Sequence, residues 1–380
     1  CDKTYIKLGN SSFIRGTYDY LSAYYMKDNV YKLIDGNNNV LAFDNLLFDM
    51  TTGRFRKIRK DDYISITCGY DMDAKDGDTP RVINKENRKK IDKLLTDIFD
   101  EKLKQYWLTT TSLSLFYNKY QKLYIHTGSG GNGKGLIFKL LAKCLGRYFK
   151  QGTSTLLTTK WDSSKPMPVI CECKGVRLLI IPECDDENNL NGSFVKLITG
   201  NDDITSRNLH EKMATYEPQM TVYIICNNKP KIGKLDGGLE RRIIVYPYIY
   251  NFVDNPRKPR EKKKDENMGD VVLSQEMRME FMMLLLETAY ANKDITNIDK
   301  PEDIKNATDD YITELNSIGG WIQDTLEITG VRGDSIKATD LYGMYKTSSL
   351  YQAEKISLKA FIAEIKYNKT SKRVRNIYLT

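Results

Sequence analysis

The stretch that most constrains this chain is Leu123-Tyr-Ile-His-Thr-Gly-Ser-Gly-Gly-Asn-Gly-Lys-Gly-Leu-Ile-Phe-Lys-Leu-Leu141. Apolar Leu123 to Ile125 predict a short buried strand. Leu136, Ile137, Leu140, Leu141 and Leu145 recur at helical spacing. Between them run Gly128, Ser129, Gly130, Gly131, Asn132, Gly133, Lys134 and Gly135. Strand, glycine loop, lysine and helix make the phosphate-binding pattern G-x-x-x-x-G-K-[ST]. Glycines let backbone N–H groups curl around an anion, and the helix N-terminus faces the same anion. Lys134 adds a charge for the outer phosphates. The last position departs from the pattern: Gly135 replaces the hydroxyl residue that normally holds Mg²⁺. The metal is then expected to draw its oxygens from water and a downstream carboxylate. The plain alternative is a glycine-rich turn with no ligand.

The next buried strand is predicted at Val176-Arg-Leu-Leu-Ile-Ile181, ending in Pro182-Glu-Cys-Asp185. A carboxylate at such a strand end, downstream of a phosphate loop, holds Mg²⁺ or polarises the attacking water. Glu183 is the first candidate, then Asp185, then Asp186. A third strand, Val222 to Cys226, ends in Asn227-Asn228, where Asn227 can orient water beside a γ-phosphate. Arg241 and Arg242 precede a fourth strand, Ile243 to Tyr246. An arginine placed there can stabilise phosphoryl-transfer charge in a neighbouring subunit, or form an ordinary ion pair.

The 380 residues leave room for two or three domains, with 41% hydrophobic content for a core. The net charge of +8 fits a nucleic-acid partner without requiring one. Seven cysteines in no regular framework read as reduced thiols in a cytosolic setting. With only His126 and His210, imidazole metal clusters are nearly excluded. No apolar run approaches the roughly 18 residues of a membrane span. The first residue is Cys1, as expected of a fragment of something longer.

Residues 1–36 show no clear period. Strands are predicted at Val40 to Phe43, Leu46 to Met50, Arg54 to Lys57 and Tyr63 to Thr67. One helix is expected from Asn84 to about Tyr106, and a second from Ser112 to Tyr120. The basic run Arg54, Arg56, Lys57, Arg59 and Lys60 reads as a solvated face, with contact to DNA phosphates as the alternative. Residues 151–174 read as loop-rich. Asn255 to Asp265, basic and broken by prolines, reads as a mobile loop or solvated linker, with DNA contact as the alternative. Helices follow at Ser274–Ala291, from Pro301 to Ile318, at Ala338–Tyr345 and at Ser357–Ile365. A basic turn, Lys369 to Arg373, leads to a strand ending at Tyr378.

Taken in order, GSGGNGKG, KGVRLLIIPE, KLITGNDDITSR, PQMTVYIICNNKP and DGGLERRIIVYP resemble the superfamily 3 helicases of the poxvirus-type primase-helicase group, found in large DNA viruses, phages and mobile elements. The resemblance is strong over 120–250 and looser over 38–75. It implies an α/β AAA+ ATPase core at 111–254. Apart from the resemblance, residues 1–110 read as a small β and helical domain for structure or oligomerisation, a collar. A basic linker with helices would span 255–316. Helices followed by the basic turn suggest a winged-helix-like domain over 317–380, which would bind duplex DNA or dock a protein. The resemblance implies ATP and Mg²⁺ as cofactors, with Lys134 on the phosphates, Glu183 and Asp185 at the metal and Asn227 orienting water. Arg241 or Arg242 is the arginine finger. Cys184 stands where a second acid is usual. Lys196, Gly200, Asp202 and Arg207 match a block peculiar to the superfamily. A hairpin after it, Asn208 to Met213, would place His210 and Lys212 on DNA beside Arg207. The implied activity is ATP-dependent, 3′-to-5′ unwinding of forked DNA by a homo-hexameric ring tracking single-stranded DNA, in host cytoplasm or a viral replication site. A primase domain is expected before Cys1. The competing readings are a nucleotide-gated DNA scaffold with little turnover and a small-molecule P-loop kinase.

Overall fold

A computed structural model describes residues 11–25, 30–116, 120–158, 165–182, 189–207, 214–232, 235–315, 318, 321–322, 325–327, 335–348, 351, 355–365, 373–375 and 378–379. The chain enters through helix α1 (Ser11–Tyr25), in a stretch where the sequence showed no period. Strands β1 (Val40–Ala42), β2 (Leu47–Asp49) and β3 (Arg54–Arg56) form an antiparallel meander. The fourth strand expected at Tyr63 to Thr67 does not join it. The Asp35 carboxylate takes the N–H groups of Ser65 and Ile66, which a strand would have committed to a ladder. Arg56 in the basic run is not a solvated charge: it bonds Asp49 at 3.1 Å and Asp62 at 2.7 Å.

The single helix expected over 84–106 is two. Helix α2 (Lys85–Ile98) starts on the Asn84 cap, whose side chain accepts from the N–H groups of Glu86 and Asn87. It stops because Phe99 turns extended. Asp100 then caps α3 (Glu101–Ser114), accepting the Leu103 N–H at 2.8 Å, so the second helix begins eleven residues before the expected Ser112.

The central sheet holds β4 (Leu123–Thr127), β5 (Phe149–Gln151), β6 (Leu178–Pro182), β9 (Thr221–Cys226) and β10 (Ile243–Pro247). Its order is β10-β4-β9-β6-β5, and all four pairings are parallel. Between β6 and β9 an antiparallel pair, β7 (Ile204–Ser206) and β8 (Ala214–Tyr216), flanks residues 208–213. Helix α4 (Lys134–Leu145) follows β4, and α5 (Gly192–Ile198) precedes β7. Short helices Ser154–Thr158 and Pro168–Cys171 occupy the stretch expected to be loop.

Side chains alternate across the sheet, so its two faces build two cores. Tyr124, Ile180, Tyr223 and Tyr246 face the first, shared with Phe48 of β2, Trp107 of α3, Leu141 of α4 and Phe281 of α6 (Gln275–Ala291). Ile125, Ile181, Ile224 and Val245 face the second, which contains Val195 of α5 and Tyr311 of α7 (Glu302–Leu315). The methionine-rich run of α6 is core: Phe281, Met282, Met283, Leu285 and Leu286 are fully buried. Glu280 is buried among them, but its carboxylate is satisfied by the N–H groups of Ile83 and Asn84 and by Arg88 at 2.6 Å.

After β10, the expected loop at 255–265 contains a strand. It is β12 (Glu261–Lys263), which pairs in parallel with β11 (Asn251–Val253) to form a two-stranded ribbon. The C-terminal segment has its own apolar cluster of Ile322, Leu341, Tyr345 and Phe361, carried partly by α8 (Ala338–Thr347) and α9 (Leu358–Glu364). Two small antiparallel pairs accompany it, β13 (Leu326–Glu327) with β16 (Tyr378–Leu379) and β14 (Ser335–Lys337) with β15 (Arg373–Arg375). Most of the expected basic turn, 369–372, lies outside the described residues.

Candidate nucleotide site

Parallel register decides what meets at the carboxyl ends of the strands. Thr127, the last residue of β4, lies opposite Cys226 of β9 and Pro247 of β10. The glycine loop therefore leaves β4 next to Asn227, whose carbonyl accepts the Thr127 hydroxyl at 3.0 Å. Loop and strand end enclose a cleft of about 220 Å³, lined by Gly130, Asn132, Lys134, Gly135, Cys226 and Asn227.

Gly128, Gly131 and Gly133 all have positive φ, and at two of them a Cβ would also clash. At Gly128, with φ +154°, a Cβ would sit 2.5 Å from the Tyr248 carbonyl oxygen. Gly133 caps α4 at φ +83°, and a Cβ there would meet Ile98 of α2 at 2.8 Å. A Cβ at Gly130 or Gly135 would meet nothing within 4 Å, so the mouth of the loop is open. Among the described residues no protein acceptor takes the amide N–H of Gly130, Gly131, Asn132 or Gly133. The Asn132 side-chain nitrogen is also buried without a partner. Such a row of unbonded donors is what an anion requires.

Lys134 is only 6% exposed, and its Nζ donates to the carbonyls of Gly128 at 2.5 Å and Ser129 at 3.4 Å. Burial lowers its pKa from the ordinary lysine value. Beneath it, buried His126 stacks on Tyr246 with ring centroids 4.7 Å apart, and its Nδ1 lies 3.2 Å from the Tyr248 hydroxyl. Burial first, then the Lys134 ammonium, holds the His126 pKa well below its usual value, so the ring is a neutral packing element.

Arg241 and Arg242 sit at the opposite end of the sheet. Ile243 opens β10 opposite Leu123, the first residue of β4, so five strand residues, about 16 Å, separate this end from the loop. The two arginines differ. Arg242 is 8% exposed and bonds the Gly238 carbonyl at 2.7 Å. Arg241 is exposed, its guanidinium 3.2 Å from the Gln121 side chain. Lys196 of the motif block bonds Asp236 at 2.7 Å, on the turn leading to these arginines. Arg207 ends the block directly after β7, and its carbonyl accepts the Met167 N–H.

Glu183, Cys184, Asp185 and Asp186 lie outside the described residues, as do His210 and Lys212. Strand β6 ends at Pro182, opposite Ile225 of β9 and one strand away from the loop. Among the described residues no group of His, Cys, Asp or Glu could hold a metal ion. None of their helices is long and apolar enough to cross a membrane.

Sequence reasoning missed the ribbon's part in the site. The Phe252 N–H donates to the Gly131 carbonyl at 2.7 Å, and the Ser129 hydroxyl donates to the Asn251 side-chain oxygen at 2.7 Å. The strands are three residues each in a polar, basic stretch, too short for a readable alternation.

Comparison with known proteins gives a consistent neighbourhood. A family model described as "D5 N terminal like" matches residues 1–100. "Putative helicase L207/L206" of Acanthamoeba polyphaga mimivirus is 29% identical over 349 residues, which are 88% of this chain and 35% of that protein. "Putative helicase 184R" of Invertebrate iridescent virus 6 is 26% identical over 81% of this chain and 34% of the relative. "Putative primase C962R" of African swine fever virus is 28% identical over 45% of this chain and 18% of the relative. The chain thus spans about a third of the length of the first two relatives. Among solved structures, the apo NrS-1 C-terminal region is 14% identical, with a TM-score of 0.43, over 73% of this chain and 63% of that one. The resemblance read from the motifs stands: this chain is similar to proteins of large DNA viruses named as helicases and primases.

Proposed function

We propose that this chain is the ATPase core of a replicative DNA helicase of the superfamily 3, AAA+ kind. The observation that carries the reading is the open glycine loop at the end of β4, with unbonded amide donors, buried Lys134 and Asn227 beside it. ATP fits that donor set. The loop amides and the Asn132 side chain would hold its phosphates, and Lys134 would turn from the loop carbonyls to neutralise them. Asn227 orients water. Glu183 and Asp185 are assigned to Mg²⁺ and to water activation because Gly135 brings no hydroxyl. Bound Mg²⁺ would supply charge neutralisation on the phosphates.

The distance of Arg241 from its own loop supports action across a subunit boundary, and hence a ring, for which we propose a hexamer. Its exposure makes it the preferred finger over Arg242. The β7–β8 pair supports a hairpin whose connecting residues, with Arg207, His210 and Lys212, track single-stranded DNA in the 3′-to-5′ direction. A winged-helix-like C-terminal unit and a primase domain in the full-length protein complete the proposal, with replication in host cytoplasm or at a viral replication site.

Steady-state ATP hydrolysis with and without single-stranded DNA, for wild type and Lys134→Ala, tests the reading. Hydrolysis that requires Lys134 and rises with DNA supports the motor. Turnover that ignores DNA points to a small-molecule enzyme. Tight binding of both ligands without turnover favours the nucleotide-gated scaffold, which the missing hydroxyl at Gly135 also favours.

A further inference from the structure

The β11–β12 ribbon and its connecting segment set a cluster of exposed cations beside the glycine loop. Residues 254–266 carry Arg257, Lys258, Arg260, Lys262, Lys263 and Lys264, with Asp254, Glu261, Asp265 and Glu266 among and beside them. Lys262 is turned inward: its Nζ donates to the Asp97 carbonyl at 2.6 Å and lies 3.9 Å from the Tyr250 ring centre. The Glu261 carboxylate accepts the backbone N–H groups of Arg257 at 2.8 Å and Lys258 at 3.1 Å, which shapes the connection between the two parallel strands. The other five cations are exposed; among the described residues none lies within ion-pair distance of a carboxylate, while Arg260 lies close enough to act on the Asp303 carboxylate and Lys258 on Glu261. Neighbouring cations in this cluster repel one another, and the nearby acids offset that repulsion only in part. A bound polyanion relieves it.

The ribbon is also fastened to the glycine loop. Phe252 holds the Gly131 carbonyl, and Asn251 holds the Ser129 hydroxyl. The strands are tied to each other by Asn251 N–H to the Arg260 carbonyl and Lys264 N–H to the Val253 carbonyl, both at 2.9 Å. Two hydrogen bonds thus join the ribbon to the glycine loop, and two more join its strands.

We propose that the β11–β12 ribbon is a nucleic-acid contact, separate from the β7–β8 hairpin, in which Arg257, Lys258, Arg260, Lys263 and Lys264 grip the phosphates of a strand and bias the glycine loop to which the ribbon is bonded. The inference rests on the proposed helicase reading. It adds a phosphate-backbone site at the nucleotide cleft and a route by which an engaged strand alters turnover.

The test compares R257A/K258A/R260A and K263A/K264A with a control, K85A/K90A/K102A, which removes from α2 and α3 as much charge as the triple variant. Affinity for labelled oligothymidine is read by fluorescence anisotropy across a salt series, alongside ATP turnover with and without DNA. The ribbon variants should keep DNA-free turnover, showing that the site still folds. They should lose DNA affinity about tenfold or more, with the log–log salt slope of the triple variant reduced by roughly 2, since each single-strand phosphate contact contributes about 0.7. DNA stimulation should fall with them, and the control should behave as wild type. Unchanged affinity and stimulation in the ribbon variants, or an equal loss in the control, overturns the proposal. So does loss of binding to anionic vesicles with DNA binding intact, which would make the ribbon a membrane contact. A wild-type protein that binds no DNA sinks the helicase reading itself, a result distinct from all of these.

Discussion

The Nε of Arg242 donates to the Thr199 hydroxyl at 3.1 Å, binding the turn before β10 to the end of α5. Its neighbour Arg241 makes no comparable buried contact, so two adjacent arginines have different work. Arg242→Ala should lower stability by about 2 kcal/mol, because two hydrogen bonds to a buried charged group are lost. Urea unfolding reads this directly. Arg241→Ala should leave stability unchanged and reduce DNA-stimulated turnover by about 10³-fold, the usual effect of losing an arginine finger. Mixing Arg241→Ala subunits with Lys134→Ala subunits should restore part of the activity, since some sites then combine an intact loop with an intact neighbour. No restoration would argue against action across the boundary.

Gly133 and Gly130 lie three residues apart and should respond differently to alanine. At Gly133 the backbone is left-handed and the new methyl meets Ile98 at 2.8 Å, so Gly133→Ala should cost about 2 kcal/mol and weaken ATP binding. At Gly130 the methyl would meet nothing within 4 Å, and Gly130→Ala should change stability by less than about 0.5 kcal/mol. Thermal unfolding of both variants checks the contrast. Equal losses would mean that the helix–loop packing is not what fixes Gly133.

His126 gives the sheet a pH dependence. Its pKa is held well below the ordinary 6.5 in the folded protein, so below about pH 6.5 the unfolded chain binds a proton that the folded one refuses. Its contribution is complete above that pH and is lost as the pH falls toward the folded value. The slope approaches about 1.4 kcal/mol per pH unit. Urea unfolding between about pH 7 and pH 5 should show a shallower loss for His126→Phe than for wild type. Parallel curves would mean that the imidazole titrates freely.

The sequence by itself determined the glycine loop, the buried strands flanking it and the order of the motif blocks. Those features are local: alternation, helical spacing and glycine content are written within a few residues of one another. Helix ends were less legible. The break at Phe99 depends on Asp100 acting as a cap, and an aspartate in a helical pattern is as easily a surface residue. The strand expected at Tyr63 to Thr67 failed because Asp35, thirty residues away, captured its amides.

Tertiary structure alone decided which strand ends meet and which charges are paired. Parallel pairing of β4 with β9 sets Asn227 at the loop, and pairing with β10 sends Arg241 to the far end of the sheet. The same chemistry, an arginine before a strand, becomes a buried strut at Arg242 and an exposed charge at Arg241 because only one of them finds Thr199 and Gly238. The ribbon is the clearest case. Its strands are too short to show a period, and its hold on Ser129 and Gly131 exists only once the chain has brought residues 129–131 and 251–252 together. Contacts between residues distant in the chain are set by packing, and no local pattern records them.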